Sequence, residues 1–596
     1  MSRGRRERPV AWRQRILLFA GAAILLLIVN YAVFPATRER VIIIGAGTAG
    51  LAAAAALSGY ASVLVLEAQE RIGGRVHTNH SLGAPAELGA AWIHRADGNV
   101  VSELARQFGC GTYVSENKRV VIHGESGAPV GQATVTKVYN QLTRQIMPEV
   151  LRRRAQLRPD GRDDVSLGSM VTSLESVVNL GGVKRCVLDF LLFRDVVQDH
   201  TADLWQTSAA RYDTDHYGGS GKDHVLPGGY DCIMNGLKRL SGLRVHAPAR
   251  YDEVRSNGDD RGRIDDSTRS GIRLGEAGEV RLLKWWAGES SASSAAASSS
   301  AGAAAASGTA GAPWGINPPT NGGVEVTLSD GTIERADYAI VTIPLGVLKA
   351  SIHHYQQQQP KKDDPVISFI PPLPSRVLMA IDRLGYGEAL KVALRFPHVF
   401  WPHEAHFLGK ISGGCDKAGS AQHVEFLNVA KYTDGVPVLL METESAYART
   451  LAAMSDAAIV RAVTETLRTM FGATTVPEPT GHIVYRMGNN SFQRGGFTYM
   501  PVGATHELHR TLATPLANGR LVLAGEHTSS LHAGTVHGAL VSGRRAAAHV
   551  RAAMRKADVM AAGEEEEERY RARLFASIYS GDDGGGGEEE EWDRNP

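Results

Sequence analysis

Three glycines in the segment IGAGTAG have the spacing that a nucleotide-binding turn requires. Gly45, Gly47 and Gly50 form the pattern G-x-G-x-x-G. The first glycine permits a tight turn, the second lets the backbone approach a pyrophosphate, and the third lets the following helix pack closely on the preceding strand. The free N–H groups at the start of that helix, with their partial positive charge, would bind phosphate oxygens. The spacing therefore predicts that the chain binds a dinucleotide.

The flanking residues predict the elements that position this turn. An apolar run, VIII, precedes it, an alanine-rich stretch follows it, and a second apolar run, VLVL, ends at Glu67. This is the strand, helix, strand order of a βαβ unit, and Glu67 lies where a carboxylate accepts hydrogen bonds from a ribose hydroxyl. The alternative interpretation is a βαβ unit that is purely structural. The motif alone does not distinguish NAD from FAD.

A second candidate for chemistry is Lys391, in the segment GEALKVALRFP. Apolar side chains alternate with other side chains around it, which is typical of a half-buried β-strand. On this pattern alone, Lys391 faces solvent as an ordinary surface lysine.

Five blocks of the sequence resemble the flavin-dependent amine oxidases, in particular the polyamine oxidase type. After Glu67 the chain reads AQERIGGRVHT, which is similar to the family segment whose arginine, here Arg75, lies over the FAD pyrophosphate. A guanidinium suits this task because it binds phosphate oxygens bidentately and keeps its charge. The other blocks are AELGAAWIH (86–94), VLPGGYDCIMNGL (225–237), VEVTLSDGTIERADYAIVTIPLGVLK (324–349) and LAGEHTSSLHAGTVHGALVSGRRAA (523–547). The resemblance covers most of residues 39–555 and implies FAD as the cofactor.

The resemblance also implies roles for individual residues. Lys391 stands where the family has a lysine that holds a water against flavin N5. The solvent-facing side of its strand would then face an active-site cavity. His94 would lie near the amine chain of the substrate, and Phe497 and Thr535 would stand on opposite walls of the substrate site. The residues expected beside the cofactor are Glu526 at its ribityl and pyrophosphate region, Thr528 and Val536.

Several positions depart from the family pattern. Gly496 stands where monoamine oxidases carry the cysteine that attaches FAD, so we expect FAD to be bound non-covalently. Met487 replaces a tryptophan and Asn490-Ser491 replaces Asp-Pro in the block around the aromatic wall. Arg95 replaces the glycine after the histidine, and a cation there repels a polycationic substrate unless it points away.

The implied reaction is the oxidation of a neutral amine by molecular oxygen to an aldehyde, a smaller amine and hydrogen peroxide. Alternatives are an amino-acid oxidase or desaturase-like flavoprotein of the same fold, or an inactive membrane-bound flavoprotein module. An amino-acid oxidase needs an arginine that clamps the substrate carboxylate, for which Arg95 is a candidate. The sequence leaves the particular amine and the oligomeric state open.

Composition excludes other classes of function. Lys plus Arg number 64 and Asp plus Glu number 63 in 596 residues, so bulk charge does not indicate nucleic-acid binding. The four cysteines form no CxxC pair, which argues against a structural zinc site and leaves one or two disulfides possible.

The N-terminus predicts a membrane anchor. Residues 16–34 are apolar and uncharged, long enough to cross a bilayer, and the basic segment 1–15 before them would stay in the cytoplasm. The catalytic body would then lie on the lumenal or extracellular side. A cleaved signal peptide, which would give a secreted protein, and an organelle transit peptide are the alternatives.

The predicted fold is α/β: a Rossmann-type, doubly wound FAD-binding domain, discontinuous in sequence, with an α+β substrate-binding domain and one N-terminal transmembrane helix. The FAD-binding domain is expected to combine 39–95, 222–256, 323–350 and 480–555, and the substrate domain 96–221 and 351–479. Residues 257–322 are expected to form a low-complexity insertion, and 563–596 an acidic disordered tail.

Overall fold

The computed structural model describes residues 39–116, 120–158, 160–212, 220–246, 270–286, 322–356, 365–412 and 422–555. The segment 1–15, the anchor predicted at 16–34, the tail 563–596 and most of the insertion lie outside these ranges, so those expectations stay predictions. Within the described ranges no helix combines the length and apolar character needed to cross a membrane.

The described strands are, in chain order, β1 (Arg40–Ile44), β2 (Ser62–Glu67), β3 (Thr78–Asn79), β4 (Ala86–Glu87), β5 (Trp92–Ile93), β6 (Tyr113–Val114), β7 (Val120–His123), β8 (His224–Val225), β9 (Val245–His246), β10 (Gly271–Leu274), β11 (Val280–Trp286), β12 (Gly323–Leu328), β13 (Ile333–Ala336), β14 (Tyr338–Val341), β15 (Ser368–Ile370), β16 (Gly385–Tyr386), β17 (Ala389–Arg395), β18 (Phe407–Lys410), β19 (Val424–Asn428), β20 (Val438–Glu444), β21 (Gly481–Arg486), β22 (Thr498–Tyr499) and β23 (Leu521–Leu523).

The described α-helices are α1 (Thr48–Leu57), α2 (Val100–Phe108), α3 (Gln132–Gln141), α4 (Met147–Arg154), α5 (Leu167–Thr172), α6 (Glu175–Val178), α7 (Gly182–Leu192), α8 (Gln198–His200), α9 (Asp231–Ser241), α10 (Leu345–Gln356), α11 (Ser375–Arg383), α12 (Ser445–Ala452), α13 (Asp456–Phe471), α14 (Glu507–Ala513) and α15 (Val536–Met554). Two π-helical turns, Leu142–Ile146 and Phe193–Val197, lie at the ends of α3 and α7.

A parallel sheet carries the glycine turn. Its strand order is β23-β14-β1-β2-β10-β9, and each neighbouring pair is parallel. Helices α1, α2, α9 and α15 pack on one face, while the four-stranded sheet β13-β12-β11-β15 and helices α10, α11 and α14 cover the other. Cover on both faces explains why β1 and β2 are apolar runs rather than alternating ones. The predicted Rossmann-type α/β class is confirmed in this part of the chain.

Part of the predicted insertion is ordered structure. Gly271–Leu274 joins the parallel sheet beside β2, and Val280–Trp286 pairs with β12. Ile272 and Leu283 are fully buried, so these strands contribute to the cores on either face of the sheet. The expectation of a single surface insertion over 257–322 is therefore wrong for 271–286. The sequence pattern misled because charged and glycine-rich residues surround short apolar runs such as RLLKWW.

The second large sheet has the order β21-β17-β20-β19-β18-β7 and is antiparallel except for the β18–β7 pair. Strand β21 belongs to this sheet, although the prediction grouped residues 480–555 with the FAD-binding segments. Buried side chains pack against both faces of the sheet. Strand β17 is buried on both faces up to Leu394, so Lys391 does not face bulk solvent.

A disulfide joins two of the described cysteines. Cys110 and Cys232, which are 122 residues apart, are bonded and join the end of α2 to α9 on one face of the parallel sheet. The sequence alone left the state of these cysteines open.

Candidate active site

A cavity of about 550 Å³ lies where the carboxyl ends of the parallel strands meet the second sheet. We call it the central cavity. The residues predicted to bind the cofactor that line it are Gly45, Gly47, Glu67, Arg75, Glu526 and Val536. Its other end is lined by Trp92, His94, Arg95, Arg194, Asp195, Asp199, Asp223, Lys391, Glu425, Glu442, Phe497 and Thr535. Two predicted residues, Gly50 and Thr528, do not line it.

The glycine turn leaves open space for a ligand at its second glycine. Gly45 has φ +107°, and a Cβ on Gly50 would lie 1.9 Å from the carbonyl oxygen of Gly45. A side chain at either position is therefore excluded by backbone geometry or by contact. A Cβ on Gly47 would instead meet only the Gly73 carbonyl oxygen, at 3.8 Å. Gly47 also precedes α1 without a side-chain cap, so the first N–H groups of α1 point toward the cavity.

Glu67 is fixed at the end of β2 by two backbone groups. Its Oε2 accepts from the N–H of Ala46 at 2.8 Å, and its Oε1 accepts from the N–H of Gln69 at 2.9 Å. Burial raises the pKa of Glu67, and these two hydrogen bonds oppose the shift. Because each carboxylate oxygen has a second lone pair, Glu67 can still accept from a ribose hydroxyl in the cavity.

Arg75 and Glu526 form an ion pair, with 2.6 Å between Arg75 Nη1 and Glu526 Oε1. Burial opposes ionisation of Glu526, but the charges of Arg75 and His527 and the hydrogen bonds from Arg75 and Gly534 together outweigh it, so the pKa of Glu526 is lowered. Glu526 Oε2 also accepts from the backbone N–H of Gly534 at 2.8 Å. The ion pair thus joins Arg75, the arginine predicted to bind the pyrophosphate, to the last of the five family-like blocks, residues 523–547.

Thr528 does not itself line the central cavity, although its neighbours Gly525 and Glu526 do. Its hydroxyl donates to the Gly525 carbonyl oxygen at 2.8 Å and accepts from Arg545 Nη2 at 2.7 Å. That Thr528 lies beside the cofactor stays a prediction. Residues 526–528 form a single 3-10 turn, which sends the side chains of Glu526 and Thr528 in different directions.

Lys391 is held by groups from two parts of the chain. Its Nζ donates to the Gly89 carbonyl oxygen at 2.8 Å and lies 3.0 Å from Glu442 Oε1, although only 1% of the residue is exposed. Lys391 on β17 is in register with Glu442 on β20. Glu442 is in turn in register with Glu425 on β19. Arg194 then pairs with Glu425 at 2.7 Å. We call Lys391, Glu442, Glu425 and Arg194 the charge row.

His94 lies at the same end of the cavity. Its Nδ1 is 3.2 Å from Asp223 Oδ2. Burial opposes the charged imidazolium, but the hydrogen bond and charge of Asp223 and the charge of Asp199 outweigh it, so the pKa of His94 is raised. Burial deep in the molecule raises the pKa of Asp199 to about 7, although the side chain is open to the cavity itself.

Phe497 and Thr535 lie together at the cavity wall. A Cβ on Gly534 would be 2.8 Å from Phe497 Cδ2, so the ring rests against the residue before Thr535. The Thr535 hydroxyl accepts from the backbone N–H of Gly538 at 3.0 Å and caps α15. Thr535 therefore fixes the start of α15 beside Val536, in addition to lining the cavity.

The residues that depart from the family pattern are tied into the site. The Tyr485 hydroxyl donates to Gln493 Oε1 at 2.9 Å, and Asn490 Nδ2 reaches the Tyr485 hydroxyl at 3.4 Å. Gln493 Nε2 contacts the Gly74 carbonyl oxygen at 3.4 Å. The block with Asn490 in place of Asp is thus anchored to the loop that carries Arg75, and Met487 lines the cavity.

Comparison with known proteins agrees with this geometry. The model of the family described as flavin containing amine oxidoreductase matches residues 48–277 and 315–551. The chain belongs to this family. Polyamine oxidase 4 of Oryza sativa subsp. japonica is 30% identical over 527 residues, covering 86% of this chain and 88% of that protein. Polyamine oxidase 2 of Arabidopsis thaliana is 28% identical over 526 residues, covering 85% and 87%. Lysine-specific histone demethylase 1 homolog 3 of Oryza sativa subsp. indica is 27% identical, covering 88% of this chain and 56% of that protein.

This flavin-containing amine oxidoreductase uses FAD and oxidises amines. The residues present fit that cofactor: the open space over Gly47 and the helix start suit the pyrophosphate, and Glu67 has acceptor capacity left for a ribose. Arg75, Glu526 and Val536 line the same end of the cavity. These residues would hold FAD, and Phe497 and Lys391 line the same cavity.

Sequence reasoning missed the acidic and basic residues of one segment. Arg194, Asp195 and Asp199 all line the cavity, from the π-helical turn Phe193–Val197 and the residues after it. Asp195 and Asp199 are four residues apart, a spacing that places both on one helix face. That spacing could have identified Asp195 and Asp199 from the sequence. No sequence pattern could have identified Glu425 and Glu442, because their place in the charge row depends on strand register.

The first prediction concerns the attachment of FAD. Gly496 supplies no sulfur, and a Cβ there would already lie 3.0 Å from Thr201 Cγ2, so we expect FAD to be released when the protein is denatured. Acid precipitation of the purified protein should leave the yellow chromophore in the supernatant. A yellow pellet would contradict non-covalent binding.

The second prediction concerns the buried pair in the charge row. Glu442→Gln leaves the Lys391 ammonium without its anion, so we expect the free energy of unfolding to fall by about 3 kcal/mol. Denaturant titration measures this loss, and adding Lys391→Met to the variant should recover part of it. Glu478→Gln is the matched control, because the side chain of Glu478 is 78% exposed in its pair with Arg468 and should change stability by less than about 0.5 kcal/mol. Equal losses in the two single variants would show that burial does not govern the Lys391 pair.

Proposed function

We propose that this chain oxidises polyamines or related amines with molecular oxygen to an aldehyde, a smaller amine and hydrogen peroxide. The observation that carries the proposal is the acidic lining of the cavity beyond Lys391. Five carboxylates line it: Asp195, Asp199, Asp223, Glu425 and Glu442. Relatives named polyamine oxidases, which match the chain over most of its length, support the same substrate class.

The carboxylates differ in how far they are already paired. Glu442 pairs with Lys391, Glu425 with Arg194 and Asp223 with His94. Asp199 makes no hydrogen bond to any described residue, and its side chain is open to the cavity. An ammonium group of the substrate placed beside Asp199 would supply the missing counter-charge. In this proposal the distal amine of the substrate lies near Asp199 and the reacting amine lies toward Phe497.

Lys391 keeps one N–H group for a water. An ammonium has three donors, and two of them are used by the Gly89 carbonyl oxygen and Glu442. The third can hold a water at the cavity surface, in position to hydrolyse an imine product. FAD, when bound, would supply the two-electron chemistry of the reaction, which is hydride acceptance from the carbon beside the amine nitrogen and reduction of oxygen. Amine, oxygen and water are consumed, and aldehyde, smaller amine and hydrogen peroxide are formed in equal amounts.

The third prediction is the substrate screen and its pH dependence. Anaerobic mixing of the full chain with spermine, spermidine, N-acetylated polyamines, monoamines and amino acids should bleach the flavin band most rapidly with a polyamine class. We expect the rate to rise from pH 6 to 9, because the reacting amine must lose its proton and because Asp199 becomes anionic above about pH 7. Asp199→Asn should flatten the part of the rise near neutrality. A flat wild-type profile, or no bleaching by any amine, would contradict the proposal.

We also propose that residues 16–34 anchor the chain in a membrane with the catalytic body on the lumenal or extracellular side. The arginine-rich start before the apolar run supports this orientation. The Cys110–Cys232 disulfide supports an oxidising compartment, where such bonds persist.

The fourth prediction tests this placement. In sealed vesicles from expressing cells, the body should resist added protease until detergent is present, and Cys110 should resist alkylation until the protein is reduced. A cytoplasmic protein in the same vesicle preparation, tethered to the outer face, is the digestion control. Digestion of the body without detergent would contradict the lumenal placement, and a mature protein that begins beyond residue 34 would indicate a cleaved signal peptide instead.

A further inference from the structure

Glu444 is a buried carboxyl group without a hydrogen-bond partner. It is the last residue of β20, and only 2% of it is exposed. Neither of its carboxyl oxygens makes a hydrogen bond to any described residue, and the buried hydroxyl of the next residue, Ser445, makes none either. Ser445 also has a φ of +57°, in the left-handed region that strains a serine. Buried polar atoms without partners are rare and strained residues cluster at functional sites, so the end of β20 is a candidate functional position.

Glu444 lies behind the wall of the central cavity. Side chains of a strand alternate between its two faces, so Glu444 and Glu442, two residues apart, point to the same face of the sheet. Glu442 lines the cavity, and Ala389, which is in register with Glu444 on β17, lines it too. Glu444 itself does not line the cavity. Its carboxyl group is therefore close to the wall but shielded from the water inside.

The charges around Glu444 favour its neutral form. They come from four elements: Glu442 on its own strand, Lys391 on β17, Glu425 on β19 and Asp199 on α8. Three of the four are carboxylates, and the Lys391 ammonium already lies 3.0 Å from Glu442 Oε1. An ionised Glu444 would be a buried charge with no cation of its own. Burial, and then the neighbouring carboxylates, accordingly raise the pKa of Glu444 well above its usual value.

A cation in the cavity changes this balance. The proposed substrate brings an ammonium beside Asp199, which neutralises one of the carboxylates that oppose ionisation of Glu444. The same positive charge favours a carboxylate over a carboxylic acid at Glu444 directly. Ionisation breaks the O–H bond of the carboxyl group, leaves the electron pair on the oxygen and sends the proton to the solvent. One positive charge then enters the site as another leaves it.

We propose that Glu444 stores a proton behind the cavity wall and releases it when a cationic amine occupies the cavity. The inference rests on the proposed amine oxidation and deepens it, because proton release makes the cationic substrate bind more tightly as the pH rises. It also gives a reason for a carboxyl group at a position where an apolar side chain of similar size would cost less to bury. Glu444 thus adjusts the charge of the site without touching the substrate.

The fifth prediction follows the carboxyl group of Glu444 by infrared difference spectroscopy. The probe is a linear bis-quaternary ammonium of polyamine length, which keeps both charges at every pH and has no nitrogen lone pair to oxidise. Added to the full FAD-loaded chain, it should remove the carbonyl band of a protonated carboxyl group that lacks hydrogen bonds. Glu444→Gln should abolish this change. Asp199→Asn should retain it, because a carboxyl group open to water absorbs at lower frequency.

The dependence of stability on pH separates a stored proton from a purely structural role. Glu444 keeps its proton in the folded chain and loses it in the unfolded chain above about pH 5, so it costs the wild type stability as the pH rises from there. Glu444→Gln should therefore have the higher thermal midpoint, by a margin that widens toward neutral pH. Glu325→Gln is the matched control, because Glu325 is also buried but pairs with Lys284 and Arg335. This variant should lower the midpoint.

Three outcomes would overturn the stored proton while leaving amine oxidation intact. They are no loss of the carbonyl band on addition of the probe, the same loss in Glu444→Gln, and a thermal midpoint of Glu444→Gln below that of the wild type at neutral pH. Failure of every amine to reduce the flavin would overturn the proposed function instead, and the proton release would then belong to cation binding alone.

Discussion

The buried ammonium of Lys391 is the constraint that ties the cofactor half of the molecule to the substrate half. A charge that is almost fully removed from water needs an anion and further acceptors. Lys391 finds the anion, Glu442, on the neighbouring strand of the second sheet and the acceptor, the Gly89 carbonyl oxygen, in the segment that follows the Arg75 loop. Loss of Glu442 would leave an uncompensated cation in the core, and loss of the contact with Gly89 would leave a buried N–H donor unsatisfied. The two sheets are therefore held in one relative position at the cavity.

The two ends of the cavity are specified in different ways. At the cofactor end, backbone geometry dominates: the tight turn at Gly45, the contact between Gly45 and Gly50, and the first N–H groups of α1. At the substrate end, side-chain charge dominates, through the charge row, His94 and Asp199. Backbone features tolerate change poorly, whereas a charge that is open to the cavity, such as that of Asp199, can be exchanged without breaking a buried ion pair. Substrate preference can thus diverge while the cofactor site stays the same.

This division explains how much of the molecule the sequence predicts. The glycine turn, Glu67 and the parallel sheet follow from local spacing, because each depends on residues close together in the chain. Lys391 required the family resemblance, since alternation alone placed it in solvent. Glu442 and Glu425 were missed because their positions depend on pairing between distant strands. The contacts of Thr528 with Gly525 and Arg545 could not be predicted, because they depend on the 3-10 turn 526–528 and on a helix farther along the chain.

The departures from the family pattern fall at the substrate end. Arg95 replaces a glycine at the rim, and Met487 replaces a tryptophan in the lining, yet the neighbouring Asn490 and Gln493 keep hydrogen bonds to the loop that carries Arg75. The glycine turn, the Arg75–Glu526 pair and the Lys391–Glu442 pair are all present, whereas Arg95, Met487 and Asn490 differ from the family pattern. The groups that hold the cofactor site and the buried ammonium are thus kept while the lining around them differs, and Arg95 occupies its position with a backbone φ of +44°.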